Sequence, residues 1–289
     1  MGFPRIVCPD NEAVLQRFTG HSVALRVNHG RRLSAGVENV RQSGNRLFCV
    51  IVESDRPLAE MDLADRHQGI PLAVMVPAAG RFRDLAKQLD RLRRLNLRVY
   101  LPCDNPDNLT SLRILASVGI HCGADFRYGR IDWESLADLA TYAVLEQAPH
   151  ATIEPFEFIA SNYQAAKPLD WGRVCFDDPR HFLHLDEAGR VALSRAELTE
   201  QRFVAQSLAE IGAPAEFPPI RERLRSWRHY FSNNHPCASC AGWRLCLGKF
   251  SADRTENPGC ADFFVEMIDL VRQRLDLMVA LGERRIWQL

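Results

Sequence analysis

Four of the nine cysteines crowd into one short segment in the last fifth of the chain. They are Cys237, Cys240, Cys246 and Cys260, and their spacing is C-x2-C-x5-C-x13-C. A gap of two residues lets both thiolates of a tight turn reach one centre, and a metal centre then needs two more thiolates from a nearby loop. We therefore predict that these four clustered cysteines bind a metal centre.

Two kinds of metal centre and one structural alternative fit this segment. Zinc bound by four thiolates would be a structural site, although zinc ribbons usually pair C-x2-C with a second C-x2-C, which this segment lacks. An iron–sulfur cluster tolerates uneven spacing, so the spacing modestly favours it over zinc. The structural alternative is four free thiols in a core, and the density of cysteines argues against it.

The same spacing resembles the SPASM module, an auxiliary-cluster domain of radical-SAM peptide-modifying enzymes. In that family these four positions bind the second of two four-iron four-sulfur clusters. A family cysteine that binds the first cluster corresponds here to Phe250. Another first-cluster signature is matched by Cys175 and Gly189, but its closing position is Ser194. The resemblance implies that the four clustered cysteines bind one cluster and that the other cluster has been lost.

The elements that must position this segment are predicted from hydrophobic periodicity. Helices are predicted over Arg81–Leu95, Asn108–Val118 and Ile131–Leu145, the last with Asp132 as its N-cap. The predicted strands are Val23–Val27, Leu47–Glu53, Leu72–Val76, Leu97–Leu101, Gly119–Ala124 and Ala151–Phe158. This alternation predicts an α/β fold with a parallel sheet, either an open sheet or a partial barrel.

The pattern changes near residue 165, where we place a domain boundary. Residues 166–289 are predicted to form a small α+β module, with short strands around Val174 and over His181–Leu185. Helices are predicted over Ala196–Ile211, over Ile220–Phe231 and from Ala261 to about residue 281. This module contains the four clustered cysteines.

Residues 1–165 resemble the partial (β/α)6 barrel of radical-SAM enzymes. The family binds its catalytic cluster through C-x3-C-x2-C after the first strand, and the corresponding loop, RVNHGRRLSAGVENV, contains no cysteine. A Gly-Gly-Glu-Pro motif of the family is reduced here to Glu53 and Pro57 in LFCVIVESDRPLAE. The resemblance therefore implies a degenerate barrel and argues against a site for SAM.

Composition limits the partners of the chain. Lys and Arg total 36 and balance 36 Asp and Glu, so no global field attracts nucleic acid. No apolar run approaches the roughly 18 residues that a membrane span needs, and the first residues do not read as a secretory signal. We expect a cytoplasmic protein that binds neither nucleic acid nor a membrane.

Acidic residues at the ends of predicted strands are the candidates for catalysis. Glu53, Asp125 and Glu154 form a possible acid–base set, since working residues of parallel sheets sit at the carboxyl ends of strands. Pro77, Pro102 and Cys103 share that position. Turn and cap roles are the more ordinary interpretation of each residue. No phosphate loop, nucleophile elbow or His-Glu-x-x-His motif occurs, so the sequence gives no support for self-contained catalysis.

Three functional hypotheses follow. The first is an iron–sulfur protein with one auxiliary cluster that accompanies a radical-SAM/SPASM maturase and its precursor peptide. It would serve in electron transfer, peptide binding or scaffolding, as in the GeoRSP-type arrangement that the resemblance implies. The second is a binding or scaffold protein with a structural zinc site. The third is an enzyme that uses the acid–base set.

Overall fold

A computed structural model describes residues 2–28, 33–64, 67–127, 130–251 and 259–280, which form one nine-stranded sheet with flanking helices. The strands are β1 (Arg5–Pro9), β2 (Ser22–Asn28), β3 (Arg46–Glu53), β4 (Leu72–Met75), β5 (Leu97–Pro102), β6 (His121–Asp125), β7 (Ile153–Glu154), β8 (Phe182–Leu185) and β9 (Val191–Ala192). The α-helices are α1 (Glu12–Leu15), α2 (Leu33–Gln42), α3 (Phe82–Ala86), α4 (Leu89–Arg94), α5 (Pro106–Ser117), α6 (Trp133–Leu145), α7 (Phe156–Asn162), α8 (Arg195–Thr199), α9 (Pro218–Arg225), α10 (Arg228–Ser232), α11 (Trp243–Cys246) and α12 (Gly259–Ala280). Short 3-10 helices include Leu58–Glu60, Trp171–Val174, Leu208–Glu210 and Pro236–Ser239.

The strand order in the sheet is β7-β6-β5-β4-β3-β2-β1-β8-β9. Strands β1 to β8 pair with one another in parallel, and β9 is antiparallel to β8 at one edge. From β1 to β7 each strand lies beside the next one in sequence, as expected when every crossover returns the chain to the adjacent position. The predicted α/β class with a parallel sheet is confirmed.

The two faces of the sheet bury different side chains, because successive strand residues point to opposite sides. In β3, Val50 and Val52 belong to the large core that the helices cover. Cys49 and Ile51 belong to a smaller cluster on the other side, against which Phe176 packs. We call these sides the helix-covered face and the opposite face.

Capping residues fix where two crossover helices begin. The Asp132 carboxylate accepts hydrogen bonds from the Ser135 N–H at 3.1 Å and the Ser135 hydroxyl at 2.9 Å, and so caps α6. Asn105 caps α5 by accepting the Asp107 N–H at 2.9 Å. Pro106 occupies the first turn of α5, where a missing N–H costs nothing. The prediction that Asp132 is an N-cap is confirmed.

Several predicted elements differ from the structure. The helix predicted over Arg81–Leu95 is interrupted and forms α3 and α4. The strand predicted around Val174 is a 3-10 helix that begins where the Asp170 carboxylate accepts the Gly172 N–H. The helix predicted over Ala196–Ile211 ends early, as α8, before Gln201 adopts a φ of 56°. Only β7 forms within the strand predicted for residues 151–158, and the structure adds β1 and α2.

The sheet continues across the domain boundary predicted near residue 165. Strand β8 pairs with β1, with Arg5 opposite Phe182 and Val7 opposite His184. Residues from both predicted segments also contribute to the large core on the helix-covered face of the sheet. In the described residues, the predicted segments 1–165 and 166–289 therefore share one sheet and one core.

The long helix α12 joins the cysteine segment to this core. Phe263, Phe264 and Met267 are buried on one side of α12, and the Phe263 ring lies 5.4 Å from the Trp133 ring of α6. The other side of α12 is exposed and carries charges such as Glu266. Among the described helices, α12 included, none combines the length and the apolar character required to cross a bilayer.

Candidate metal centre and sheet edge

The four clustered cysteines lie on or beside the 3-10 helix Pro236–Ser239, on α11 and at the start of α12. Cys237 is in the 3-10 helix Pro236–Ser239, and Cys240 follows that helix as its C-cap. Cys246 is the last residue of α11, and Cys260 is in the first turn of α12. Cys237, Cys246 and Cys260 are buried, whereas Cys240 is partly exposed. Residues 252–258, which connect Cys246 to Cys260, lie outside the described residues.

Among the four clustered cysteines, Cys246 combines burial, backbone N–H donors and neighbouring thiols. Burial raises the pKa of its thiol to about 11, and the backbone N–H groups of Phe250 and Gly248, which donate to the sulfur, oppose that rise. The neighbouring Cys260 and Cys237 thiols raise the pKa further, so each of them lies within electrostatic range of the Cys246 sulfur. Backbone N–H donation to sulfur stabilises a thiolate, which is the form that binds metal.

The positions of the sulfurs bear on the kind of centre. All four clustered cysteines lie in the described part of the chain, where no three His, Cys, Asp or Glu side chains converge as ligands of a single metal ion. A tetrahedral zinc site needs four sulfurs about 2.3 Å from one ion. A four-iron cluster instead distributes its thiolates over different irons, so its ligands are farther apart. The donor set of four thiols, three of them buried, is one that either zinc or an iron–sulfur cluster uses.

At three glycines the lack of a side chain allows the cysteine segment to pack closely against its neighbours. A Cβ atom at Gly242 would lie 2.5 Å from the Cβ of Phe264, and one at Gly259 would lie 2.8 Å from the ring of Trp133. A Cβ atom at Gly248 would lie 2.0 Å from the ring of Tyr230. The glycines thus allow α10, α11 and α12 to approach closely around the cysteines.

His235 serves as a cap beside the cysteines. Its Nδ1 accepts the Cys237 N–H at 3.1 Å and so caps the 3-10 helix Pro236–Ser239. Its ring also packs on Tyr230, with 4.9 Å between the ring centroids. This arrangement agrees with a turn role for the residue.

Phe250 is buried in an aromatic cluster that joins the cysteine segment to the sheet. Its ring centroid lies 5.1 Å from that of Trp133 and 5.7 Å from that of Phe126. It also lies 5.8 Å from Phe264 and 6.3 Å from Trp171, in both cases nearly parallel. The side chain at this position therefore fills core space.

A second group of polar contacts involves Lys249, the residue before Phe250, and lies near Cys175. The Lys249 ammonium lies 2.9 Å from the Asp170 carboxylate and over the Trp171 ring. Burial alone would raise the pKa of Asp170, but Lys249 and the Gly172 N–H outweigh it and the pKa falls below its usual value. The Cys175 thiol is within electrostatic range of Lys249, and burial raises its pKa.

Asp177 connects this group to Ser194. The Asp177 carboxylate accepts the Arg195 N–H and is within electrostatic range of Lys249, while burial raises its pKa. Ser194 is buried, and its hydroxyl caps α8 by accepting the Glu197 N–H at 3.1 Å. Asp177 therefore lies beside the residue that follows Ser194 and within electrostatic range of the residue that precedes Phe250.

The remaining cysteines are core thiols. Cys8, Cys103 and Cys122 belong to the helix-facing core, whereas Cys49 lies on the opposite face. Burial raises the pKa of Cys49 and of Cys8 to about 12, so both thiols stay protonated near neutral pH. Cys49, Cys103 and Cys122 are thus divided between the two faces and do not form one ligand set. All nine cysteines of the chain lie in described residues, and all are free thiols.

Two members of the predicted acid–base set meet at the carboxyl edge of the sheet. Arg127 pairs with Asp125 and lies 4.0 Å from Glu53, which also pairs with Arg195. Both carboxylates are therefore engaged in ion pairs with guanidinium groups. Arg127 and Arg195 are not among the residues predicted from the sequence, because only acidic residues at strand ends were considered as candidates for catalysis. A signal existed for a third arginine at this edge, Arg26, because it interrupts the apolar strand β2.

Glu154 lies apart from this pair. It is 3.5 Å from Arg98 and accepts the Phe158 N–H at 3.0 Å, which ties it to the start of α7. Burial raises its pKa, although Arg98 and the Phe158 N–H oppose the rise. Pro77 and Pro102 are likewise structural, because their carbonyls accept hydrogen bonds from the Asn108 amide. The structure therefore does not bring the three predicted acids into one site.

When the chain is compared with protein-family models, curated proteins and solved structures, no match is found in any of the three.

Proposed function

We propose that this chain is an iron–sulfur protein with one four-iron four-sulfur cluster bound by Cys237, Cys240, Cys246 and Cys260. It would accompany a radical-SAM peptide maturase in electron transfer, peptide binding or scaffolding. We also infer that the sheet is related to a partial (β/α)6 barrel. The sequential strand order from β1 to β7 supports this relation.

The observation that carries the proposal is the environment of Cys246. Its sulfur receives two backbone N–H donors and lies within electrostatic range of two of its three predicted co-ligands. An isolated core thiol has no need of N–H donors, whereas a thiolate ligand is stabilised by them. The arrangement therefore supports a ligand role for this cysteine.

The surroundings of Phe250 support a single cluster. In the SPASM resemblance, Phe250 and Ser194 replace cysteines that would bind the first cluster. Phe250 fills an aromatic core and Ser194 caps a helix, so both positions have other structural roles. Lys249 and Asp170 place an ion pair beside Cys175, the remaining first-cluster position.

A bound four-iron four-sulfur cluster would supply one-electron transfer. Cys237, Cys246 and Cys260 would shield the centre from water, because their side chains are buried. Cys240 is partly exposed and marks the side on which a redox partner could approach. With four protein thiolates, every iron has a ligand, which suits electron transfer or structure better than substrate activation.

Metal and sulfide analysis after anaerobic purification tests this proposal. We expect about four irons and four acid-labile sulfides per chain with negligible zinc. Cys240→Ala should lose this content and destabilise the cysteine segment, because metal binding is coupled to folding. Cys122→Ala, which removes a core thiol elsewhere, should keep it.

Other contents would change the assignment. One zinc without sulfide would establish the structural zinc site instead. Eight irons would contradict the loss of the first cluster. Full metal content in a folded Cys240→Ala protein would refute the ligand assignment.

A further inference from the structure

A cavity of about 710 Å³ opens on the opposite face of the sheet, at the amino-terminal ends of the strands. Arg5, Leu72, Leu97 and His121 are the first residues of β1, β4, β5 and β6, and all line it. This volume lies within the range of small-molecule sites. The cavity is remote in sequence from the four clustered cysteines and lies at the other end of the strands from Glu53 and its arginines.

The cavity combines three arginines with a set of aromatic rings. The arginines are Arg5, Arg98 and Arg173. The rings belong to Phe48, Tyr100, Phe158, Phe176 and Phe182. The Arg5 guanidinium lies 4.1 Å from the centroid of Phe48 and 5.6 Å from that of Phe182, within cation–π range of both rings.

The positive charge of the arginines is not balanced by acidic residues in the described lining of the cavity. None of the described residues that line the cavity is acidic. Arg5 and Arg173 form no ion pair with a described carboxylate. Arg98 has one carboxylate neighbour, Glu154 at 3.5 Å, yet its Nε is buried without a hydrogen-bond partner.

His121, the histidine in the lining of the cavity, is uncharged near neutral pH. Burial and the neighbouring Arg98 lower the pKa of His121, so its ring is neutral. Its Nδ1 is engaged with the Thr152 hydroxyl at 2.8 Å. The lining therefore presents guanidinium donors and apolar ring surface, which is the chemistry that recognises an oxyanion attached to a flat apolar body.

We propose that this cavity binds a small organic anion, a carboxylate or phosphate monoester carried on an aromatic or similarly flat apolar body. The arginines Arg5, Arg98 and Arg173 receive the anionic group. Phe48 and Phe182 lie beside Arg5 and contact the body. The proposal is independent of whether the cysteine segment binds a cluster, since none of its residues lines the cavity.

Isothermal titration calorimetry on the full chain tests the proposal with four probes. Phenylpropionate and phenyl phosphate carry the two kinds of anionic group on the same kind of body. Phenylpropionamide is the neutral match, and inorganic phosphate is the anion without a body. We expect saturable binding of at least one acid, with the amide and the inorganic phosphate each about tenfold weaker or worse than the corresponding acid. Which acid binds more tightly identifies the anionic group.

Two matched arginine variants place the binding in the cavity. Arg173→Gln removes an exposed cavity guanidinium and should weaken binding by about tenfold. Arg83→Gln removes an equal charge from an exposed position outside the lining and should leave the affinity unchanged. Circular dichroism confirms that both variants are folded, and Arg5→Gln provides a second cavity variant.

Three outcomes would overturn the proposal. The first is the absence of saturable binding by either acid. The second is equal affinity for an acid and for its neutral or bodiless match. The third is equal loss in Arg173→Gln and Arg83→Gln, which would mean that only the overall charge matters.

Discussion

Replacing Gly248 by alanine tests how the loop after Cys246 is held. Gly248 has a φ of 76°, its N–H donates to the Cys246 sulfur, and its carbonyl accepts the Tyr230 hydroxyl at 3.2 Å. A Cβ atom there would lie 2.0 Å from the Tyr230 ring. Tyr230 is also hydrogen-bonded to Ser251 at 2.8 Å, so its ring cannot move away without losing partners.

The expected loss has two parts. Alanine at a positive φ costs about 1–2 kcal/mol in folding free energy. The steric conflict with the Tyr230 ring resembles overpacking and adds about 1–3 kcal/mol. We therefore expect Gly248→Ala to destabilise the protein by about 2–5 kcal/mol.

Gly20→Ala is the matched control. Gly20 has a φ of 78°, nearly the same as Gly248, but a Cβ atom there would meet no heavy atom within 4 Å. This control therefore carries the cost of the backbone conformation alone, about 1–2 kcal/mol. The difference between the two variants isolates the contact with Tyr230.

Urea unfolding of both variants supplies the measurement, together with iron and sulfide analysis after anaerobic purification. Gly248→Ala should also lose metal, because the displaced backbone withdraws an N–H donor from Cys246, whereas Gly20→Ala should keep it. If Gly248→Ala loses no more stability than Gly20→Ala, the close packing of this loop on Tyr230 is refuted. Full metal content in a destabilised Gly248→Ala protein would show that the N–H donor is dispensable.

Two further predictions concern the core and acid stability. Phe250→Ala should lower the free energy of unfolding in urea by about 3–5 kcal/mol. Phe231→Ala removes a ring that is 46% exposed and should cost far less. Equal losses of unfolding free energy in the two variants would contradict the core role of Phe250. Burial lowers the pKa of His184 to about 3 from 6.5, so between these pH values only the unfolded chain binds the proton. The stability from neutral His184 is complete above pH 6.5 and falls by about 2 kcal/mol at pH 5. His184→Gln should lessen the difference between urea unfolding at pH 7 and pH 5, and an unchanged difference would refute this role.

Much of the fold was predictable because its signals are local. The apolar run of β3 and the cap at Asp132 can be read within a few residues, and both elements form as predicted. Interrupted patterns were harder to predict. The apolar face of residues 81–95 is continuous in sequence, yet Gln88 donates to the Ala59 carbonyl at 2.6 Å between α3 and α4. That partner is 29 residues away, so no local pattern reveals it.

Contacts between distant segments explain what else the sequence did not show. Strand β1 spans only RIVCP, and it is stabilised by β2 on one side and by β8 on the other. The arginines at the carboxyl edge come from separate elements, and only the folded sheet brings Arg127 and Arg195 to Glu53. The spacing of the four clustered cysteines can be read within one segment, whereas the amino-terminal cavity gathers residues from six strands.

If the proposed SPASM relationship holds, the two non-cysteine residues at the first-cluster positions bear on how such a centre could be lost. A cluster removed without replacement would leave a void and unpaired thiols, and both are costly in a core. Here Phe250 fills space among four aromatic rings, and the Ser194 hydroxyl satisfies the N–H of Glu197. Returning cysteines to both positions would therefore remove a packed ring and a helix cap before any metal could bind. On the proposed relationship, the packing that replaced the first cluster opposes its return and leaves the cysteine segment as the place where a cluster can bind.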